Sequence, residues 1–210
     1  MKLKNAMFAA TIAALGLNVG CIRSYVTTPL NNANLTTAMH TEDGLELKAK
    51  AYFDKGEIAD KFGAKLADDR QVIPVQLLLQ NKSQSTYRVL RASFILEEAG
   101  QKIRLNTLSS DEMYEIGRHG YGAPVCGMIF FGVLGIPSLV TTITANGKVQ
   151  EDYARKMLQD TLLEPTKEAT GAVFFNPEPA KLARVGKYKL VVELENTTTN
   201  KKVTLERELN

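Results

Sequence analysis

The chain has 210 residues, of which 44% are hydrophobic and 23% charged, an ordinary composition for a soluble globular domain. Its formal net charge is +3; Lys2 and Lys4 account for most of this excess, so the remainder is nearly neutral. A near-neutral chain with scattered basic residues gives no sign of a nucleic-acid-binding surface. Without about 20 N-terminal residues, the chain suffices for one well-packed domain and is too short for two.

The N-terminus has the pattern of an export signal. Lys2 and Lys4 precede an apolar stretch, residues 6–17, which is shorter than the roughly 20 residues that a membrane-spanning helix needs. This arrangement is typical of a signal peptide. Gly20 and Cys21 follow, and this junction resembles the lipobox of bacterial lipoproteins, although its leucine, Leu17, lies one position earlier than usual.

The lipobox resemblance implies a signal peptide over residues 1–20, a diacylglyceryl group on Cys21 and an acylated new N-terminus. The lipid on Cys21 would then attach the protein to a membrane. Ile22 follows the cysteine; in such lipoproteins an aspartate at that position tends to retain the protein at the inner membrane. We therefore expect the protein to be anchored in the outer membrane and to face the periplasm. The alternative is an ordinary secretory signal that is cleaved elsewhere, with Cys21 incidental.

Residues 21–43 are rich in Thr and Asn and show no sustained periodicity, so we predict a partly extended tether. A β domain is predicted over residues 44–208. Apolar and polar residues alternate along residues 45–51 and 73–80, which predicts strands. Pro74 is compatible with the entry of a strand or with a sheet edge. Further strands are predicted around residues 87–96, 102–105, 171–175, 188–194 and 202–206.

A helical insertion is predicted at about residues 107–165, between two strands. Ser109 and Glu112 have the spacing of a capping box, which favours a short helix. A second, amphipathic helix is predicted over residues 148–163, because Val149, Tyr153 and Met157 lie on one helical stripe. Pro165 marks its predicted end.

The segment 125–145 contains no charged residue. One hypothesis is that it is a buried helix, interrupted at Pro137 and packed on the following helix through Tyr153, Met157 and Leu162. A link at Asn146-Gly147 would then join the two helices as a hairpin. The alternative is insertion into a membrane, with Gly127, Gly132 and Gly135 as a close-packing surface and Pro137 tolerated.

The predicted fold is mainly β, an antiparallel sandwich of about seven strands interrupted by two or three helices. The strand at residues 72–80, the turn Asn81-Lys82-Ser83, the Gly-rich stretch, the helix and the strand at 171–175 together resemble uncharacterised envelope lipoproteins with an immunoglobulin-like sandwich. A fold resemblance of this kind implies no function by itself.

Residues with the chemistry of a catalytic or metal site are sparse. The sequence has two histidines and two cysteines and no nucleophile elbow, phosphate-binding loop or dinucleotide fingerprint. His40, His119 and Cys126 have no partner of matching spacing, so no catalytic residue, metal or cofactor is predicted. The sequence favours a non-enzymatic, lipid-anchored binding or assembly module whose partner is another envelope protein; the alternative is a membrane-active protein that inserts residues 125–145.

Overall fold

A computed structural model describes residues 25–35, 38–40, 43–68, 72–98, 104–118, 135–176 and 188–209. The chain divides into two compact units. One comprises residues 1–25 and 118–149, and the other comprises residues 26–117 and 150–210. The second unit contains both β-sheets and carries the candidate site.

The described helices are α1 (Lys55–Phe62), α2 (Ala64–Asp68), α3 (Ser110–Gly117) and α4 (Gly135–Lys156). The start of α1 is set by Asp54, whose carboxylate accepts the backbone N–H of Glu57 at 2.9 Å, a typical N-cap. The helix ends at Gly63, whose φ of 97° is open to glycine but strained for other residues. The capping box predicted at Ser109 and Glu112 is confirmed, because each side chain accepts a backbone N–H from the other residue.

Ten strands are described, and every pairing between them is antiparallel. Sheet A has the order β1-β2-β3-β8. Sheet B has the order β6-β5-β9-β4-β7, with β10 paired to β9. The strands are β1 (Ala38–His40), β2 (Leu45–Ala51), β3 (Ile73–Asn81), β4 (Tyr87–Val89), β5 (Phe94–Glu98), β6 (Arg104–Asn106), β7 (Thr161–Leu163), β8 (Glu168–Phe175), β9 (Tyr188–Asn196) and β10 (Lys202–Leu209).

Both sheets contribute to one apolar core. All ten residues that the alternating pattern predicts for the core are buried in this cluster: Ile73, Val75, Leu77, Leu79, Phe94, Leu96, Val173, Phe175, Leu190 and Val192. Alternation was informative because successive side chains of a strand point to opposite faces of the sheet. The mainly antiparallel β architecture with a few helices is thus confirmed. The described part holds more strands than the seven expected. The short strands β1 and β7 were not predicted, and the stretch predicted around residues 87–96 forms two strands, β4 and β5.

The prediction of a helical hairpin with its link at Asn146-Gly147 is wrong. Helix α4 runs without a break through both residues, since a glycine costs an interior helix only about 1 kcal/mol relative to alanine. Pro137 does not interrupt α4 either, because it is the third residue of the helix, and the first turn lacks intrahelical partners for its N–H groups anyway. Residues 125–134 lie outside the described part of the chain.

The amphipathic helix ends earlier than predicted, at Lys156 rather than near Pro165. Beyond it, Leu158 donates its backbone N–H to the carbonyl of Ala172 at 2.9 Å, so the chain follows β8 and then forms β7. Tyr153 and Met157 are buried, as the stripe predicts. Leu162 was wrongly placed on the helix; it lies in β7 and is 57% exposed.

The segment predicted to be a tether is more ordered than expected. Residues 38–40 form β1, which pairs with β2. Asn31 caps a 3₁₀ turn at Asn32–Asn34 by accepting the backbone N–H of Ala33. An Asn- and Thr-rich composition suits turns and caps as well as linkers, and so composition alone did not separate the two.

Candidate functional site

The outer face of sheet A, opposite the shared core, is covered by helices. Phe174 of β8 meets Phe62 of α1 edge to face, with ring centroids 5.3 Å apart. Tyr52, which follows β2, contacts Phe62 at 5.4 Å, and Tyr153 of α4 contacts Phe174 at 5.9 Å. All four rings are buried. This aromatic cluster holds α1 and the end of α4 against the sheet.

Residues 27–32, here called the docked segment, lie along this helical layer. Thr28 donates its backbone N–H to the carbonyl of Asp60 at 2.7 Å and its hydroxyl to the Asp60 carboxylate at 2.8 Å. Lys61 donates to the same hydroxyl oxygen at 2.5 Å. Thr28 is therefore bonded to the last turn of α1 through both its backbone and its side chain.

Thr27 is bonded to a buried ion pair on the last turn of α4. Its hydroxyl donates to Asp152 at 2.9 Å and accepts from Lys156 at 2.7 Å. Lys156 and Asp152 are themselves 2.7 Å apart and their side chains are only 7% and 11% exposed. Lys156 also donates to the carbonyl of Lys61, so its three ammonium protons have three acceptors.

Burial shifts the pKa values of Lys156 and Tyr153, and hydrogen bonding shifts that of Asp60. Burial lowers the pKa of Lys156, and the neighbouring Asp152 carboxylate partly offsets this. The pKa of Asp60 is lowered, chiefly by the hydrogen bond from Thr28 and next by that from Lys61. Burial raises the pKa of the Tyr153 phenol, as does the Asp152 charge. Lys156 and Asp152, bonded to each other and to the Thr27 hydroxyl, anchor the docked segment.

A chain of side-chain amides and hydroxyls continues from the docked segment to the sheet. The Asn32 side-chain oxygen accepts from Thr170 of β8 at 3.0 Å and from Gln76 of β3 at 3.2 Å. Gln76 is fully buried and accepts the Tyr52 hydroxyl at 2.6 Å. Buried polar groups need such partners, because an unpaired one costs about 1–3 kcal/mol.

An open pocket of about 400 Å³ lies beside the docked segment, lined by Thr27, Pro29, Leu30, Asn32, Asp152, Arg155, Lys156, Thr170 and Gly171. Its polar groups carry both signs of charge, and Asp152 and Lys156 are bonded to each other and to Thr27. Groups whose protons and lone pairs are engaged in this way are suited to fixing a segment in place.

None of the sequence-predicted site residues that the structure describes lines this pocket. Cys21, Gly127 and Gly132 lie outside the described residues, as do His119 and Cys126. Gly135 and Pro137 lie in the first turn of α4, and His40 lies in β1. The prediction of lipidation at Cys21 therefore stays a prediction.

Membrane-spanning helices and metal clusters are both absent from the described part of the chain. No helix there combines the length and apolar character needed to cross a membrane. No group of three or more His, Cys, Asp or Glu side chains within those same ranges is arranged to hold a metal ion.

Sequence reasoning missed the docked segment and its partners. One signal was available: Asp152 and Lys156 have the i, i+4 spacing of a helical ion pair. The spacing does not reveal that both side chains are buried, which depends on the packing of α4 against α1. Thr27 and Thr28 carried no signal, because their partners, such as Lys156, are up to 129 positions away in the sequence.

Neither a protein-family model nor a curated protein matches the sequence. Among solved structures, the chain is similar to a predicted lipoprotein, ycdA, of Bacillus subtilis, at 14% identity and a TM-score of 0.40, covering 82% of this chain and 38% of that one. It is also similar to a functionally unknown protein of Listeria monocytogenes, at 12% identity and a TM-score of 0.36, covering 81% and 79%. The chain thus spans well under half of the Bacillus protein. TM-scores this low carry no argument about function.

Proposed function

We propose that the protein is a non-enzymatic lipoprotein of the bacterial cell envelope, anchored by a lipid on Cys21, whose β domain binds or assembles with another envelope protein. The observation that carries the proposal is the junction at Gly20-Cys21, directly after the short apolar stretch 6–17. A lipid at that position would leave the domain outside the bilayer and attached through one thioether.

The candidate site supports a structural role for its charged groups. Asp152 and Lys156 bond to each other and to Thr27, and the remaining Lys156 proton goes to a backbone carbonyl. A general acid or base needs a proton that can reach a substrate, and these protons are engaged. This arrangement supports a structural role for these groups, and we propose binding rather than catalysis for the β domain, with an immunoglobulin-like sandwich as part of the proposal.

Mass spectrometry of the mature N-terminus from membranes tests the anchor. We expect the chain to begin at Cys21, with the mass of a diacylglyceryl group and an added acyl chain. Cys21→Ser is the control, which we expect to remain unprocessed or unacylated. An unmodified N-terminus at another residue would contradict the proposal.

Membrane separation on a density gradient tests the location. Wild-type protein is expected in the outer-membrane fraction, and Ile22→Asp is expected to move to the inner membrane because it places the retention aspartate after the cysteine. Cross-linking in intact cells, followed by purification of the lipidated protein, then identifies the envelope partner. Equal distribution of both forms between the membranes would contradict the outer-membrane assignment.

A further inference from the structure

We infer that the docked segment fixes the lipid anchor close to the helical face of the β domain, so that the domain stays at the surface of its own membrane and takes its partner there. The inference rests on the proposed lipidation of Cys21. The anchor alone does not specify how far the domain can move from the membrane or in which membrane its partner lies. The docked segment would determine both.

The docked segment is held by bonds at both of its ends. Thr27 and Thr28 bond to the last turns of α4 and α1, and Asn32 bonds to Thr170 and Gln76 of sheet A. These contacts span both helices and the sheet, and two of them involve a buried ion pair. Releasing the segment would leave Asp152 and Lys156 without one of their partners.

Docking shortens the free chain between lipid and domain. Cys21 and Thr27 are separated by six residues, which can extend over at most about 20 Å. If residues 21–43 formed a free tether instead, the same geometry would allow about 75 Å. The short connection keeps the domain at the membrane surface, whereas the long one would let it reach components far from that surface.

The charges beside the docked segment do not provide a second membrane attachment. Asp60, Lys61, Asp152, Arg155 and Lys156 lie there, and they include both signs. Attachment to anionic lipid generally needs a cluster of several basic residues. Within the described part of the chain, these charges therefore do not account for membrane attachment, and we assign that role to the short chain.

Two insertions of the same 20-residue Gly-Ser linker test the inference. The first is placed between Ser24 and Tyr25, on the lipid side of the docked segment. The second is placed between Thr36 and Thr37, on its domain side. In a Cys126→Ser background, a donor dye on Ala154→Cys, which is exposed on α4, reports energy transfer to acceptor-labelled lipid in vesicles that carry the lipidated protein.

We expect only the first insertion to move the domain away, with roughly a twofold loss of transfer, because 20 flexible residues add about 25 Å of root-mean-square length. The second insertion should leave the transfer unchanged, since the docked segment still fixes the start of the domain. Equal losses from both insertions would overturn docking. No loss from either would show that the domain surface binds lipid itself, which also overturns the inference.

Failure of the anchor is distinguished from failure of docking by two further measurements. Mass spectrometry of each variant establishes whether Cys21 is acylated; without a lipid, the proposed function and this inference both fail. Hydrogen exchange of a Cys21→Ala chain without residues 1–20 reports docking alone, because the Thr28 N–H is protected only when it is bonded to Asp60. Rapid exchange at Thr28 in that chain, together with an acylated Cys21 in the wild type, would overturn the inference and leave the proposed function standing.

Discussion

The two faces of sheet A are built differently. The inner face joins sheet B in an apolar cluster, to which β3 contributes Ile73, Val75, Leu77 and Leu79. The outer face mixes an aromatic cluster with a hydrogen-bonded chain of polar side chains and a buried ion pair. The inner face is stabilised by the burial of apolar surface, which does not depend on the orientation of individual contacts. The outer face requires specific partners.

This difference separates stability from specificity. Apolar side chains on the inner face can be replaced by others of similar volume at modest cost. On the outer face, removal of one partner leaves another charged or polar group buried and unpaired. The outer face therefore determines where α1, α4 and the docked segment lie. The following variants test this comparison, beginning with the largest expected effect.

Lys156→Ala breaks the buried ion pair and should destabilise the protein by about 3–5 kcal/mol, because it removes the cation beside the buried Asp152 carboxylate. The double variant Asp152→Leu with Lys156→Met is the matched control, since apolar residues of similar size often replace such a pair at little cost. Denaturant unfolding measures both. A double variant as unstable as the single one would show that the hydrogen bonds to Thr27 and Lys61, rather than the unpaired charge, carry the effect.

Leu77→Ala tests the inner face and should cost about 2–5 kcal/mol, because Leu77 is fully buried in the shared core and truncation leaves a cavity. Leu162→Ala is the control: this side chain is 57% exposed, and surface changes usually stay within about 0.5 kcal/mol. The same unfolding experiment compares them. A loss below about 0.5 kcal/mol for Leu77→Ala would place it outside the core.

The inner face could be predicted from the sequence because its residues alternate with polar ones. Lys202 and Thr204 are exposed in β10 while Val203 and Leu205 are buried, the pattern of a sheet with one wet face. The same rule recovered β3, although that strand is buried on both faces. Pro74 is the second residue of β3. This agrees with the expectation that a proline is tolerated at the entry of a strand.

The outer face could not be predicted, since its contacts join distant parts of the chain. Helices α1 and α2 went unrecognised because each is short, and a short helix is marginal without tertiary packing. Phe62 and Phe174 are 112 positions apart in the sequence, and no local pattern links them. The docked segment depends on partners in both helices, so its position could not be inferred before theirs.

Gly171→Ala should destabilise the protein by about 1–3 kcal/mol through overpacking. A Cβ at Gly171 would lie 2.6 Å from the backbone nitrogen of Leu158, which bonds to β8 at the neighbouring residue. Gly147→Ala is the matched control, because nothing lies within 4 Å of its Cβ position and an interior helical glycine costs about 1 kcal/mol relative to alanine. The midpoint of thermal unfolding, Tm, should therefore fall for Gly171→Ala and rise for Gly147→Ala. A neutral Gly171→Ala would mean that the chain around Leu158 moves away without loss of stability.

The smallest expected effect is at the start of α3, away from both faces, and it has a defined pH dependence. Glu112 accepts the backbone N–H and the hydroxyl of Ser109, each at 2.7 Å, and these bonds lower the pKa of Glu112, the backbone bond most. A carboxyl group whose pKa is lower in the folded state stabilises the fold above its unfolded pKa of about 4.3. That contribution is lost as the pH falls through the lowered folded value.

Ser109→Ala removes the cap and should cost about 1 kcal/mol at neutral pH. It should also bring the pKa of Glu112 part of the way back toward its ordinary value, because the hydroxyl bond is lost while the backbone bond can remain. NMR titration of Glu112 measures the pKa, and unfolding at pH 7 and pH 3 measures the linkage. We expect the difference between wild type and Ser109→Ala to shrink as the pH falls through the lowered pKa of Glu112, because protonation of the carboxyl group weakens its hydrogen bonds. Asp111→Asn is the control, since it removes a neighbouring first-turn acid without touching the reciprocal bonds. A pKa of Glu112 that is the same in wild type and Ser109→Ala would show that the hydroxyl does not act on this carboxylate in solution.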